Sequence, residues 1–75
     1  MDKRIIEIAA AAIRLSFEKT EKHMKSIPDI GAYYFWNPQR GGLSAIVAEN
    51  GEKLSATSGV NYNKHLEAFK NGKRN

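Results

Sequence analysis

Tyr33-Tyr34-Phe35-Trp36, closed by Asn37-Pro38-Gln39-Arg40-Gly41-Gly42, is the stretch on which the fold turns. An aromatic run bounded by Gly and Pro reads as a strand, because flat and branched side chains pack well on a pleated surface. Successive side chains of a strand point to opposite faces. Tyr33 and Phe35 therefore share one face, and Tyr34 and Trp36 the other. Phe35 has no polar atom to satisfy, which assigns its face to the core and leaves Tyr34 and Trp36 on an open face. The reverse assignment, with Trp36 inside, is the competing reading.

Downstream, Leu43-Ser44-Ala45-Ile46-Val47-Ala48-Glu49 alternates and is β-branched enough for a second strand. Asn50-Gly51 reads as a two-residue type I′ turn, since that turn needs positive φ at both central positions. Residues 52–57 then form a third strand. In this register Val47 faces Leu54 and Ala45 faces Ala56 on the core side. Ile46 and Lys53 lie on the open face with Tyr34 and Trp36. A short helix over about 61–71 follows, capped by Asn61 or Ser58 and stopped at Gly72. The tail beyond it is expected to fray.

Upstream, no Gly or Pro occurs from Asp2 to Ser26, and good helix formers dominate. Ile6, Ala10, Ile13, Phe17 and Met24 follow steps of three, four and seven, a stripe along one helix face. The spacing predicts one helix over about 3–26, ended by Pro28. The charged start and apolar run superficially match a secretory signal, but Glu7 interrupts the run and Arg14 resumes a helical pattern.

The expected fold is α+β, in the order α-β-β-β-α. A three-stranded antiparallel meander (strands about 32–37, 43–49 and 52–57) carries a long N-terminal and a short C-terminal helix on one face, as one small domain. A helix of about 24 residues is about 36 Å long, whereas strands of about six residues span about 20 Å. The overhang needs another surface. A homodimer seam along Ile6, Ala10, Ile13, Phe17 and Met24 supplies one, and a bend near Thr20 is the alternative. The four consecutive alanines Ala9–Ala12 fit a close seam, and equally fit simple helix propensity.

The chain has 75 residues, no cysteine and a net charge of +4. Disulfides and thiolate metal sites are thereby excluded, and two histidines are too few for a zinc site without carboxylate help. Absence of cysteine fits a cytoplasmic location. No apolar run is long enough for a membrane span. The excess of cations favours acidic partners, and equally serves solubility.

None of the spacings H-E-x-x-H, G-x-S-x-G, G-x-G-x-x-G or G-x-x-x-x-G-K-[ST] occurs. His65 and His23 are the only neutral-pH bases, and each reads as an ordinary helix residue. No catalytic, metal or cofactor site is expected. Arg40-Gly41-Gly42 resembles a single unit of an arginine-glycine RNA-binding repeat, and equally a loop that bends tightly.

The expected function is a non-enzymatic protein–protein interaction module. Its contact residues are Tyr34, Trp36, Arg40, Ile46 and Lys53, beside the loop Asn37–Gly42. Trp, Tyr and Arg are enriched among residues that dominate interface energetics. The alternative is a small basic nucleic-acid-binding protein using the same surface, with rings stacking on bases.

Overall fold

The structure, a computed structural model, describes residues 2–75. Its elements are α1 (Lys3–Ile13), α2 (Phe17–Lys22), β1 (Met24–Ile27), a 3₁₀ turn (Pro28–Ile30), β2 (Ala32–Trp36), β3 (Ser44–Ala48), β4 (Lys53–Ala56) and α3 (Tyr62–Lys70). The class is α+β with an antiparallel sheet. The sheet has four strands, in the order β1-β2-β3-β4, and not the expected three.

The single helix over about 3–26 is replaced by α1, α2 and β1. α1 starts at Asp2, whose side chain caps Arg4 N, and ends where Arg14 turns left-handed at φ 58°. Leu15 N donates back to Ala10 O at 3.1 Å, which closes the last turn. Ser16 then caps a new helix by accepting from Lys19 N at 3.2 Å. A good N-cap within the chain competes with continuation, and here the cap wins. After His23 the chain reverses and pairs with β2, setting Met24 opposite Phe35, Lys25 opposite Tyr34, Ser26 opposite Tyr33 and Ile27 opposite Ala32. Met24-Lys25-Ser26-Ile27 has little strand propensity of its own. Pairing with an aromatic strand supplies the packing that propensity scales report.

The two faces of the sheet are both covered. On one, Ile5, Ile6, Ala9 and Ile13 of α1 pack on Phe35, Ala45 and Val47. On the other, Phe69 of α3 packs on Ile27, Ala32 and Ile46, flanked by Tyr34, Leu54, Tyr62 and Leu66. The expected placement of both helices on one face is therefore corrected to a three-layer arrangement. The proposed seam is corrected with it. Ile6 and Ile13 are buried against the chain's own sheet, Phe17 and Met24 pack at its margin, and Ala10 is half-buried. With α1 ending at Ile13 there is no overhang to cover.

The β3–β4 register explains the second covered face. Gly51 takes φ 92°, whereas Asn50 does not take positive φ, so no type I′ turn forms. Gly51 N donates to Ala48 O at 2.9 Å, and Asn50 Oδ1 accepts from Glu52 N at 2.9 Å. The result is a three-residue loop ending in a left-handed glycine, the second common hairpin closure. Pairing becomes Val47 with Lys53 and Ile46 with Leu54. A slip of one residue exchanges the faces of an entire strand. Leu54 thus joins Ile46 under α3, and Lys53 moves to the α1 face.

Thr20 is fully buried and its hydroxyl has no hydrogen-bond partner among the described residues. An orphaned buried hydroxyl costs about 1–3 kcal/mol, and an apolar group of the same shape removes that cost. Thr20→Val is expected to raise stability by about 1–2 kcal/mol, read as a higher urea midpoint at unchanged slope.

Candidate functional site: an aromatic ledge beside the sheet edge

Tyr34 and Trp36 lie on the α3 face of β2, and each is half-buried. Their rings stack with centroids 5.7 Å apart and planes inclined by 23°. Tyr62, the first residue of α3, meets the Tyr34 ring edge-on at 4.8 Å. His23 meets Trp36 edge-on at 5.8 Å. Lys25 places its ammonium 4.8 Å from the centre of the Tyr62 ring. Offset and edge-to-face contacts such as these are the favoured aromatic geometries, and they hold the rings in fixed orientations.

Each member is delivered by a different local rule. Strand parity aligns Tyr34 with Trp36. Asn61 caps α3 by accepting from Lys64 N at 2.9 Å, which starts that helix with Tyr62 over the sheet. The reversal at His23 brings His23 opposite Trp36 and Lys25 opposite Tyr34, with Trp36 N donating to His23 O at 3.2 Å. His23 and Lys25 were missed because residues 23–26 read as helix; Tyr62 was missed because α3 was assigned to the other face.

The remaining expected contact residues are dispersed. Ile46 is 0% exposed beneath α3 and is unavailable to any partner. Lys53 is half-buried on the α1 face, opposite Val47. Arg40 is exposed in the loop after β2. There it lines an open cleft of about 330 Å³ with Ile13, Arg14, Asn37, Gln39, Gly41, Gly42 and Leu43. That loop is tied down: Asn37 Nδ2 donates to Ile13 O at 2.9 Å, and Asn37 N to Leu43 O at 2.9 Å. A Cβ on Gly42 would collide with the backbone oxygen of Asn37, so only glycine fits the bend.

Behind the ledge, His65 is buried with Ser44. Its Nε2–H donates to Leu54 O at 2.6 Å, which leaves Nδ1 to accept from Ser44 Oγ–H at 3.1 Å. A hydroxyl beside an imidazole is a pattern of nucleophilic catalysis. Here both groups are enclosed and the second nitrogen is spent on a backbone carbonyl, so the pair pins α3 to β3 and β4. Burial holds the imidazole pKa below its ordinary value of 6.5, against the opposing pull of the Leu54 carbonyl. Below about pH 6.5 the unfolded chain therefore binds this proton more readily than the folded one. Stability is expected to be full above that pH and to decline as pH falls through it. Urea midpoints between pH 7.5 and 5.5 check this, and His65→Gln should lose that part of the slope.

Among the described residues, no group of three or more His, Cys, Asp or Glu side chains is placed to hold a metal ion. Among them also, no helix is long and apolar enough to cross a membrane. No protein-family model matches the chain, and no curated protein or solved structure matches it either.

Proposed function

We propose that the chain is a small, non-enzymatic protein-interaction module that engages its partner through the ledge formed by Trp36, Tyr34, Tyr62 and Lys25. The observation that carries this reading is the locked stack itself. Half-exposed rings held by one another and topped by a cation lose little conformational freedom on binding, which is what makes Trp and Tyr effective interface anchors. An excess of four positive charges favours a partner with acidic character.

Ring packing favours a protein over a nucleic acid. Base stacking needs free ring faces, whereas one face of Trp36 is given to Tyr34 and the Tyr34 ring is met edge-on by Tyr62. Basic side chains are also interleaved with acidic ones along α2, where Glu18 and Glu21 alternate with Lys19 and Lys22.

Comparative affinity enrichment with wild type, Trp36→Ala and Tyr62→Ala tests the reading, followed by titration of the captured protein in purified form. Loss of an anchor should weaken binding by about 2 kcal/mol or more, with the fold retained. Equal binding by all three would remove the ledge from the account. Labelled single- and double-stranded oligonucleotides at two salt concentrations supply the control. Tight binding that falls steeply with salt would move the assignment to nucleic acid.

A further inference from the structure

The sheet has two edges, and the chain treats them differently. Along β4, Glu52 O accepts from Ala48 N at 2.8 Å, which sets the phase of the ladder and turns the backbone groups of Lys53 and Ser55 outward. Asn75 occupies three of these four groups. Its N–H donates to Lys53 O at 2.9 Å, its Oδ1 accepts from Ser55 N at 2.8 Å and its Nδ2 donates to Ser55 O at 3.1 Å. Arg74 holds this segment by stacking 3.6 Å over the Phe69 ring and pairing with Glu52 at 3.1 Å. The tail expected to fray is instead a clamp on the β4 edge.

Along β1, Trp36 N donates to His23 O, which sets the opposite phase: Lys25 and Ile27 bond toward β2, and Met24 and Ser26 face outward. No hydrogen bond satisfies the outward N–H and C=O groups of Met24 and Ser26 among the described residues. Exposed pairs of this kind are the template for an added strand. Lys25, between them, sits at the ledge with its ammonium over Tyr62.

We infer that β1 is a docking edge for an extended acidic segment of a partner protein, which adds to the sheet as a fifth strand with a Glu or Asp side chain opposite Lys25. This deepens the ledge reading and rests on it. Main-chain bonds to Met24 and Ser26 supply the attachment, and the side chains on the α3 face supply selectivity. Lys25 occupies the non-hydrogen-bonded position relative to an incoming antiparallel strand, where facing side chains are closest. Lys25 takes part in neither of the ion pairs found among the described residues. A second copy of this chain is disfavoured at the same edge. The self-register that satisfies both Met24 and Ser26 sets Lys25 against Lys25 of the other copy, and like charges directly opposite repel.

The test uses isotope-labelled protein and two blocked peptides of alternating Thr and Val, one with a central Glu and one with a central Lys. With the Glu peptide at about ten times its dissociation constant, amide exchange at Met24 and Ser26 should slow about tenfold. The Lys peptide should bind at least about threefold more weakly. Lys25→Glu should reverse that order. Ser26→Pro removes an outward N–H on an edge strand, where proline is tolerated, and should lose most of the affinity. If that variant does not fold, the Lys25→Glu reversal decides.

Shifts at Trp36 and Tyr62 without protection of Met24 and Ser26 would overturn the edge mode and leave the ledge intact. Absence of binding by either peptide would overturn the edge mode while the enrichment comparison judges the ledge independently. Protection that grows with protein concentration alone would assign the edge to a second copy and overturn the inference.

Discussion

Ile46→Asp is expected to leave the chain unfolded at neutral pH. Ile46 is 0% exposed and lies between β3 and α3 with Ile27, Ala32 and Phe69. An unpaired carboxylate in such a place loses its hydration and finds no compensating charge, at a cost of several kcal/mol at least. A domain of 75 residues has about 4–11 kcal/mol of stability in total. Ile46→Val, which keeps the shape and removes a methyl, should cost only about 0.5–1.5 kcal/mol. Far-UV circular dichroism and amide dispersion check both. A folded Asp variant would mean that α3 does not cover this face, as a meander with both helices on the other side requires.

Phe35→Ala is the second large effect. Phe35 is the largest fully buried side chain and touches the layer of Ile5, Ile6, Ala9 and Ile13 from below, beside Ala45 and Val47. Truncating a core phenylalanine costs about 3–5 kcal/mol, part transfer and part cavity. That is a large share of the roughly 4–11 kcal/mol available to a chain this small. Trp36→Ala, one residue along but on the other face and half-buried, should cost about 1–2 kcal/mol. Chemical denaturation of the two variants side by side reads the difference. The opposite ranking would invert the parity of β2.

That parity was legible because it needs only neighbouring residues: four aromatics in a row, one of them without a polar atom. α3 was legible for the same reason, with Asn61 at its start and Gly72, at φ 92°, past its end. The β3–β4 register was not. Asn50-Gly51 invites a two-residue turn, and the bond from Glu52 N to Asn50 Oδ1 instead accompanies a negative φ at Asn50 and a loop one residue longer. One step of register then moved Leu54 under α3 and Lys53 away from it.

The break of the N-terminal helix was written in Ser16, a strong cap followed by Glu18 in the first turn. It was outweighed by an uninterrupted run of good helix formers. β1 was hidden for a deeper reason, since its stability comes from pairing with β2 and not from its own residues. The ledge shared that fate. Tyr34 and Trp36 stand out in the chain, whereas Lys25 and His23 reach them only once β1 exists, and Tyr62 only once α3 lies on their face. The clamp by Asn75 bridges 20 residues of sequence to Ser55 and has no local signature.

Everything assigned to the ledge and its edge depends on residues 24–27 being a strand against β2. Cross-strand Hα–Hα contacts by nuclear magnetic resonance test this most directly, because non-hydrogen-bonded antiparallel pairs bring their Cα atoms to about 4.5 Å. Strong Hα–Hα contacts between Met24 and Phe35, and between Ser26 and Tyr33, are predicted. Helical contacts running unbroken from α2 through Ser26, with no cross-strand signal, would contradict the account.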